Sequence, residues 1–262
     1  MAAGDVGFMD GVRAPGISSW NGARWIPLGS GVSFFGGIDC LGVWDGRLIA
    51  AGSVTSSAGD SATAIYEWDG GRWRRPGAGI RGGGLATVRA LCVYRGELIA
   101  AGAFSLAGGM PANSVARWDG SSWHAMGADS LRGSYPVVWS LAVYRDTLYA
   151  GGRFLLAEGD STGYLAGWTG SSWEIAAGGT DGPVIALHVL GGRLVVAGRF
   201  TRAGRPPARH IATWDGGSWA ALGDASTRKE RATVRRASSW CCVESMRPAE
   251  TPHRQTGPGN SD

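Results

Sequence analysis

The side chains able to do chemistry are few and scattered. The four histidines, His124, His188, His210 and His253, sit far apart in the chain, and no HExxH or similar metal-ligand spacing occurs. The four cysteines are Cys40, Cys92, Cys241 and Cys242; no CxxC pair exists, so a zinc site lacks its spacing. Cys40 and Cys92 have apolar neighbours and read as small core residues. No GxSxG elbow or Walker loop is present, and the Gly-rich segment RGGGLAT at 81–87 lacks a lysine and a following helix, so it reads as a connection. The segments AGDSAT (58–63) and AEGDSTG (157–163) place Asp60 and Asp160 in matching loops, with Glu158 beside the second. Paired carboxylates can hold calcium or move protons. The matching loops at 107–113 and 203–209 carry no acid, which favours a turn role for Asp-Ser. Trp139, with Tyr135 and Pro136 just before it, is the aromatic least explained by its surroundings. Trp139, Tyr135, Asp60 and Asp160 are therefore the candidate ligand contacts. No catalytic residue, metal ligand or cofactor is assigned, and the balance leans away from an enzyme.

Those residues are carried by an internal repeat. Its clearest element reads SSWNGARW (18–25), YEWDGGRW (66–73), ARWDGSSW (116–123), AGWTGSSW (166–173) and ATWDGGSW (212–219). Each holds a tryptophan pair: Trp20 and Trp25, Trp68 and Trp73, Trp118 and Trp123, Trp168 and Trp173, Trp214 and Trp219. A second element keeps step: GVWDGRLIAAG (42–52), CVYRGELIAAG (92–102), AVYRDTLYAGG (142–152) and HVLGGRLVVAG (188–198). Its closing glycines, Gly52, Gly102, Gly152 and Gly198, each lie 16 positions before the first tryptophan of a pair, and Gly4 holds the same offset from Trp20.

Each unit reads as four short strands. In the clearest one these are VRALCVY (88–94), ELIAAGAF (97–104), SVARW (114–118) and a strand ending at Trp123. Arg95-Gly96, Asp45-Gly46 and Gly191-Gly192 suit two-residue hairpin turns, because such pairs tolerate positive φ. A two-residue turn at Asp119-Gly120 would oppose Trp118 to Ser121 and Ala116 to Trp123, setting the two indoles diagonally on one face. One aromatic pair per sheet, always at one phase, is what stacked sheets need to fill the gap between them. Gly at the second-strand ends lets backbones crowd close. Trp44 stands where Tyr94 and Tyr144 stand in later units and reads as an ordinary strand residue.

Composition agrees. The chain of 262 residues has 45 Gly, 13 Trp and 11 Pro, with 18% charged residues. Gly this dense excludes long helices, and it has no three-residue period, so collagen is excluded. No apolar run is long enough to span a membrane. The net charge of +4 is too small to imply nucleic-acid binding. Four-stranded antiparallel units of 46 to 50 residues, repeated, predict an all-β fold of β-propeller type.

On these motifs the chain resembles kelch-like repeats and the central domain of galactose oxidase. It is most similar to the repeats of secreted bacterial proteins and fungal cortical markers, through LIAAGAFSLAGGMPANSVARWDGSSWHAMG at 98–127. The resemblance covers residues 1 to about 223. It implies a propeller with a part-unit at 1–29 and complete units at 30–77, 78–127, 128–178 and 179–223, forming a five-bladed ring or an arc of a larger one. It also implies an extracellular or cell-surface setting, although MAAGDVGFMDG has neither the basic nor the apolar region of a signal peptide.

Residues 224–262 lose the repeat. They hold seven basic and five acidic residues, Trp240, and the only lysine, Lys229, and they read as an irregular or disordered tail. The fragment ERATVRRASSWCCV faintly echoes LATVRALCV (85–93). Two expectations follow: a truncation or frame shift just after Val234, or a strand at 239–243 that completes the N-terminal part-unit.

The expected function is a non-catalytic binding or scaffold module. It presents the loops at 53–64, 103–113, 153–164 and 199–210, with the connections between fourth and first strands, to a protein or carbohydrate partner. The alternatives are an enzyme or lectin using a central channel, and a fragment of a larger secreted propeller.

Overall fold

The structure is a computed structural model. It describes residues 2–3, 8–9, 12–13, 17–28, 37–55, 63–82, 85–127, 131–156 and 164–222. Among these every regular element is a β-strand and every pairing is antiparallel.

Four meander sheets follow one another along the chain. The first holds Ile38–Trp44, Arg47–Thr55, Ile65–Trp68 and Trp73–Arg74. The second holds Leu85–Tyr94, Glu97–Ala103, Val115–Trp118 and Trp123–Ala125. The third holds Leu131–Tyr144, Thr147–Leu156, Leu165–Trp168 and Trp173–Ile175. The fourth holds Val184–Leu190, Arg193–Gly198, Ile211–Trp214 and Trp219–Ala221. A three-stranded N-terminal sheet, Ala2–Ala3, Ile17–Trp20 and Trp25–Pro27, repeats the last three strands of this pattern. Leu85–Thr87 also pairs with Ser53–Thr55, which links the first two sheets into one hydrogen-bonded path. No strand pairing among the described residues joins the fourth sheet to the N-terminal one.

The apolar core is a series of layers, one between each pair of consecutive sheets. Ile49, Ala51 and Ile65 meet Val88, Leu98 and Ala100 in one layer. Ile99, Ala101 and Val115 meet Leu141, Leu148 and Ala150 in the next. Tyr144 and Leu165 meet Leu187, Leu194 and Val196 in the third. A second strand such as Glu97–Ala103 thus buries both faces, which is why it reads as a continuous apolar run rather than an alternation. Small residues set the spacing: a Cβ on Gly151 would press into the Val184 side chain of the next sheet.

The two-residue turns between first and second strands are present, with positive φ at Asp45, Gly46, Arg95, Gly96, Arg145, Asp146, Gly191 and Gly192. The expected turn between third and fourth strands is corrected. Trp118 lies directly opposite Trp123, and the same holds for Trp20 and Trp25, Trp68 and Trp73, Trp168 and Trp173, and Trp214 and Trp219. The turn takes four residues because the Asp119 carboxylate accepts the amides of Ser121 and Ser122 at 2.7 and 2.8 Å, closing an Asx turn that a two-residue turn cannot hold. Asn21, Asp69 and Asp215 cap their turns in the same way. The paired indoles are 5.3 to 5.5 Å apart and tilted.

Candidate functional site

Each of the four described first strands carries a β-bulge at one phase. The register slips between Ile38 and Cys40, Val88 and Ala90, Val138 and Ser140, and Val184 and Ala186. The extra residues are Asp39, Arg89, Trp139 and Ile185. A bulge leaves its residue out of the ladder and re-aims the side chain. Asp39 and Arg89 are exposed, whereas Trp139 and Ile185 are half-buried.

The repeated glycines exist to allow this bulge. A Cβ on Gly52, Gly102, Gly152 or Gly198 would overlap the carbonyl oxygen of Gly37, Thr87, Val137 or Pro183, two residues before the bulged one. The close approach expected at these glycines is therefore within a sheet. The amides of the same glycines donate to Ala64, Ser114, Tyr164 and His210 at 2.8 to 3.1 Å, which ties the entry of each third strand to the same end.

Two sets of variable residues thus share one end of the sheets: Asp39, Arg89, Trp139 and Ile185 at the bulges, and Ala64, Ser114, Tyr164 and His210 beside them. Polar links run between units. The Ser53 hydroxyl donates to Asp39 at 3.1 Å and lies 3.2 Å from the Thr87 hydroxyl of the next sheet. The Ser114 hydroxyl donates to the carbonyl of Pro136 at 3.0 Å, just ahead of Trp139.

The loops between second and third strands belong to this end. In the second sheet Leu106–Ala107 pairs with Ile80–Arg81 and folds back onto Met110–Pro111, leaving Met110 64% exposed. In the fourth sheet, bridges join Thr180 to Ala203 and Arg202 to Pro207. The Asp181 carboxylate accepts the amides of Thr201 and Arg202 at 2.7 and 2.8 Å. Burial raises its pKa, but the hydroxyl and amide donors outweigh this and hold it below the usual carboxylate value. These two loops are fastened to the connection before them.

Of the four candidates from sequence, Trp139 stands at the third bulge. Tyr135 falls within the strand Leu131–Tyr144, between Arg132 and Val137 where the register breaks, and its side chain is not among those described. Asp60 and Asp160, with Glu158, lie outside the described residues, as do Trp240, Cys241, Cys242, His253 and the whole of 224–262. Asp39, Arg89 and Ile185 were not singled out by sequence. A bulge of one residue is too short to mark the apolar periodicity, and the available signal was the spacing of the glycines opposite.

The tryptophan pairs and the aromatics that end the first strands are given over to packing, and the second tryptophan lies against the loops of the bulged end: a Cβ on Gly108 would come within 2.9 Å of Trp123 and one on Gly204 within 2.7 Å of Trp219. The second tryptophan of each pair reaches back to the preceding unit: Trp73 Nε1 donates to Leu28, Trp123 to Pro76, Trp173 to Met126 and Trp219 to Ala177, at 2.6 to 3.0 Å. An aromatic at the end of each first strand reaches forward: Trp44 donates to the carbonyl of Gly96, Tyr94 to Asp146 and Tyr144 to Gly192, at 2.8 to 3.1 Å. Trp44 is therefore not an ordinary strand residue but half of a clasp between sheets. His124 is held by Asp119, 2.7 Å away. Cys40 and Cys92 are buried. Among the described residues no three His, Cys, Asp or Glu side chains gather as a metal site.

No protein-family model matches this chain, and no curated protein does.

Proposed function

We propose that the four meander sheets and the N-terminal strands are blades of a kelch-like β-propeller, and that the chain is a non-catalytic binding module. The layered cores and the paired clasps between consecutive sheets support the blade reading. The bulged end is the recognition face, formed with the loops between second and third strands and the connections between fourth and first.

One observation carries this. The packing phases repeat with the same residue type, Trp after Trp and Gly after Gly, while the bulge phase carries Asp39, Arg89, Trp139 and Ile185 in turn. A position that every unit must use alike serves the scaffold. A position where each unit differs, on an identical backbone, serves a ligand that reads the units separately. An acid, a guanidinium and an indole along one face suit a polar partner with a flat apolar patch, which describes a glycan or an extended peptide.

The test is a glycan array probed with the intact chain, with and without added calcium, copper and zinc, beside a library of immobilised peptides. Saturable binding without metal, abolished by Trp139→Ala, supports the reading. Metal-dependent turnover of a bound sugar would replace it with the enzyme alternative.

A further inference from the structure

Arginines at the two ends of the sheets are treated differently. At the turns between first and second strands and between third and fourth, Arg47 pairs with Glu67, Arg72 and Arg74 with Asp69, Arg95 with Asp146 and Arg117 with Glu97. At the bulged end, three consecutive sheets each present one arginine. Arg89 is the bulged residue of the second sheet. In the third, Arg153 lies across from Val137, and in the fourth the Arg199 amide donates to the carbonyl of Pro183 at 2.8 Å, so each stands beside the bulge of its own sheet. All three are exposed, and no ion pair among the described residues includes them.

The described acids at this end have other partners. Asp39 accepts the Ser53 hydroxyl, and Asp181 accepts the Thr201 hydroxyl at 2.6 Å with two backbone amides. Arg202, Arg205 and Arg209, exposed on the segment after Arg199, add to the same charge. The net charge of the chain is only +4, so the excess is a local property of this end. Exposed like charges give the fold nothing, but they draw anions to the face that carries them.

We propose that this face binds an acidic polysaccharide, a chain of sugars that each carry one carboxylate, with Arg89, Arg153 and Arg199 as the anion contacts. The inference rests on the bulged end being the recognition face. A guanidinium makes two parallel hydrogen bonds to a carboxylate. The charges are sparse, one at the bulge of each of these sheets, and Trp139 and Ile185 stand half-buried beside them. A uronic acid residue joins a flat C–H face, which suits an indole, to a single carboxylate at its rim. An acidic peptide residue has the carboxylate without the flat face. A single-stranded nucleic acid needs a series of stacking platforms, and the bulge phase offers one aromatic, Trp139, among Asp39, Arg89 and Ile185. Sheets packed face to face lie about 10 Å apart, close to the span of a disaccharide, so one glycan chain can cross all three edges.

The experiment measures binding of the intact chain to fluorescently labelled hexagalacturonate, the neutral galactose hexamer, hexaglutamate and a short oligothymidylate. Hexagalacturonate is expected to bind saturably, and more weakly as salt is raised. Arg89→Ala, Arg153→Ala and Arg199→Ala each lower its affinity about tenfold, and lysine at these positions restores only part of the loss because it lacks the planar fork. Arg47→Ala, at the other end, leaves the affinity unchanged. Tighter binding of hexaglutamate or oligothymidylate than of hexagalacturonate overturns the proposal. Equal binding of the neutral hexamer, lost in Trp139→Ala but indifferent to the arginine variants, also overturns it and leaves the recognition face standing. Failure of hexagalacturonate to bind overturns it outright.

Discussion

The indole N–H of Trp123 donates to the carbonyl of Pro76 at 3.0 Å, so a residue in the last strand of one sheet is tied to the chain leaving the sheet before it. Ring and hydrogen bond act at the same place, and they can be separated. Trp123→Phe keeps most of the buried ring and loses the donor, at a cost of about 1 kcal/mol. Trp123→Ala also opens a cavity between sheets and costs about 3–5 kcal/mol. Urea unfolding of both variants measures the difference.

Gly102→Ala tests the bulge. The added Cβ overlaps the backbone carbonyl of Thr87, so the strand must move rather than a side chain. The expected loss is on the order of 3 kcal/mol, large for a single methyl group. Gly71→Ala is the control, since the Asp69 carboxylate at 3.8 Å is the only heavy atom near a Cβ there.

Acid weakens the hairpin turns. Two backbone amides hold the Asp69 carboxyl at a pKa of about 2, and amides with a serine hydroxyl hold Asp215 at about 2. The Ser122 amide, His124 and Ser121 likewise hold Asp119 below the usual carboxylate value. A carboxylate with a lowered folded pKa adds stability that is complete above its unfolded value and lost as pH falls through the folded one. The thermal midpoint should be level above about pH 5 and fall between about pH 4 and 2. The Asn substitutions at 69, 119 and 215 should flatten that fall, because an amide oxygen closes the same turn, as Asn21 does.

Arg89 is exposed and bulged out of its ladder, so Arg89→Ala should alter stability by no more than about 0.5 kcal/mol. Calorimetric unfolding checks this. A larger loss would mean that the bulge phase has a packing duty.

Much of the architecture is legible in the residues, and the exceptions have physical causes. Gly191-Gly192 and Asp45-Gly46 announce their turns because few other pairs accept positive φ at both positions. The turn at Asp119-Gly120 misleads for a related reason: the same dipeptide also starts an Asx turn, closed by the backbone amides two and three residues on, whatever side chains they carry. The clasp at Trp44 was visible as an aromatic every 50 residues, but a strand position does not tell that its ring crosses to the next sheet. At the proposed recognition face, Trp139 could be found because it departs from the repeat. Arg89 and Asp39 could not, since charged residues at a strand entrance look like any solvated turn.

The central claim is that scaffold and recognition occupy different phases of one repeat. A single scan decides it: alanine at Trp73, Trp123 and Trp173, and separately at Asp39, Arg89 and Trp139, with unfolding midpoint and ligand affinity measured for each. The account predicts that the first group lowers the midpoint and leaves the affinity of the folded fraction unchanged, while the second group keeps the midpoint and loses affinity. Loss of stability at the bulge phase, or undiminished affinity there, would contradict it.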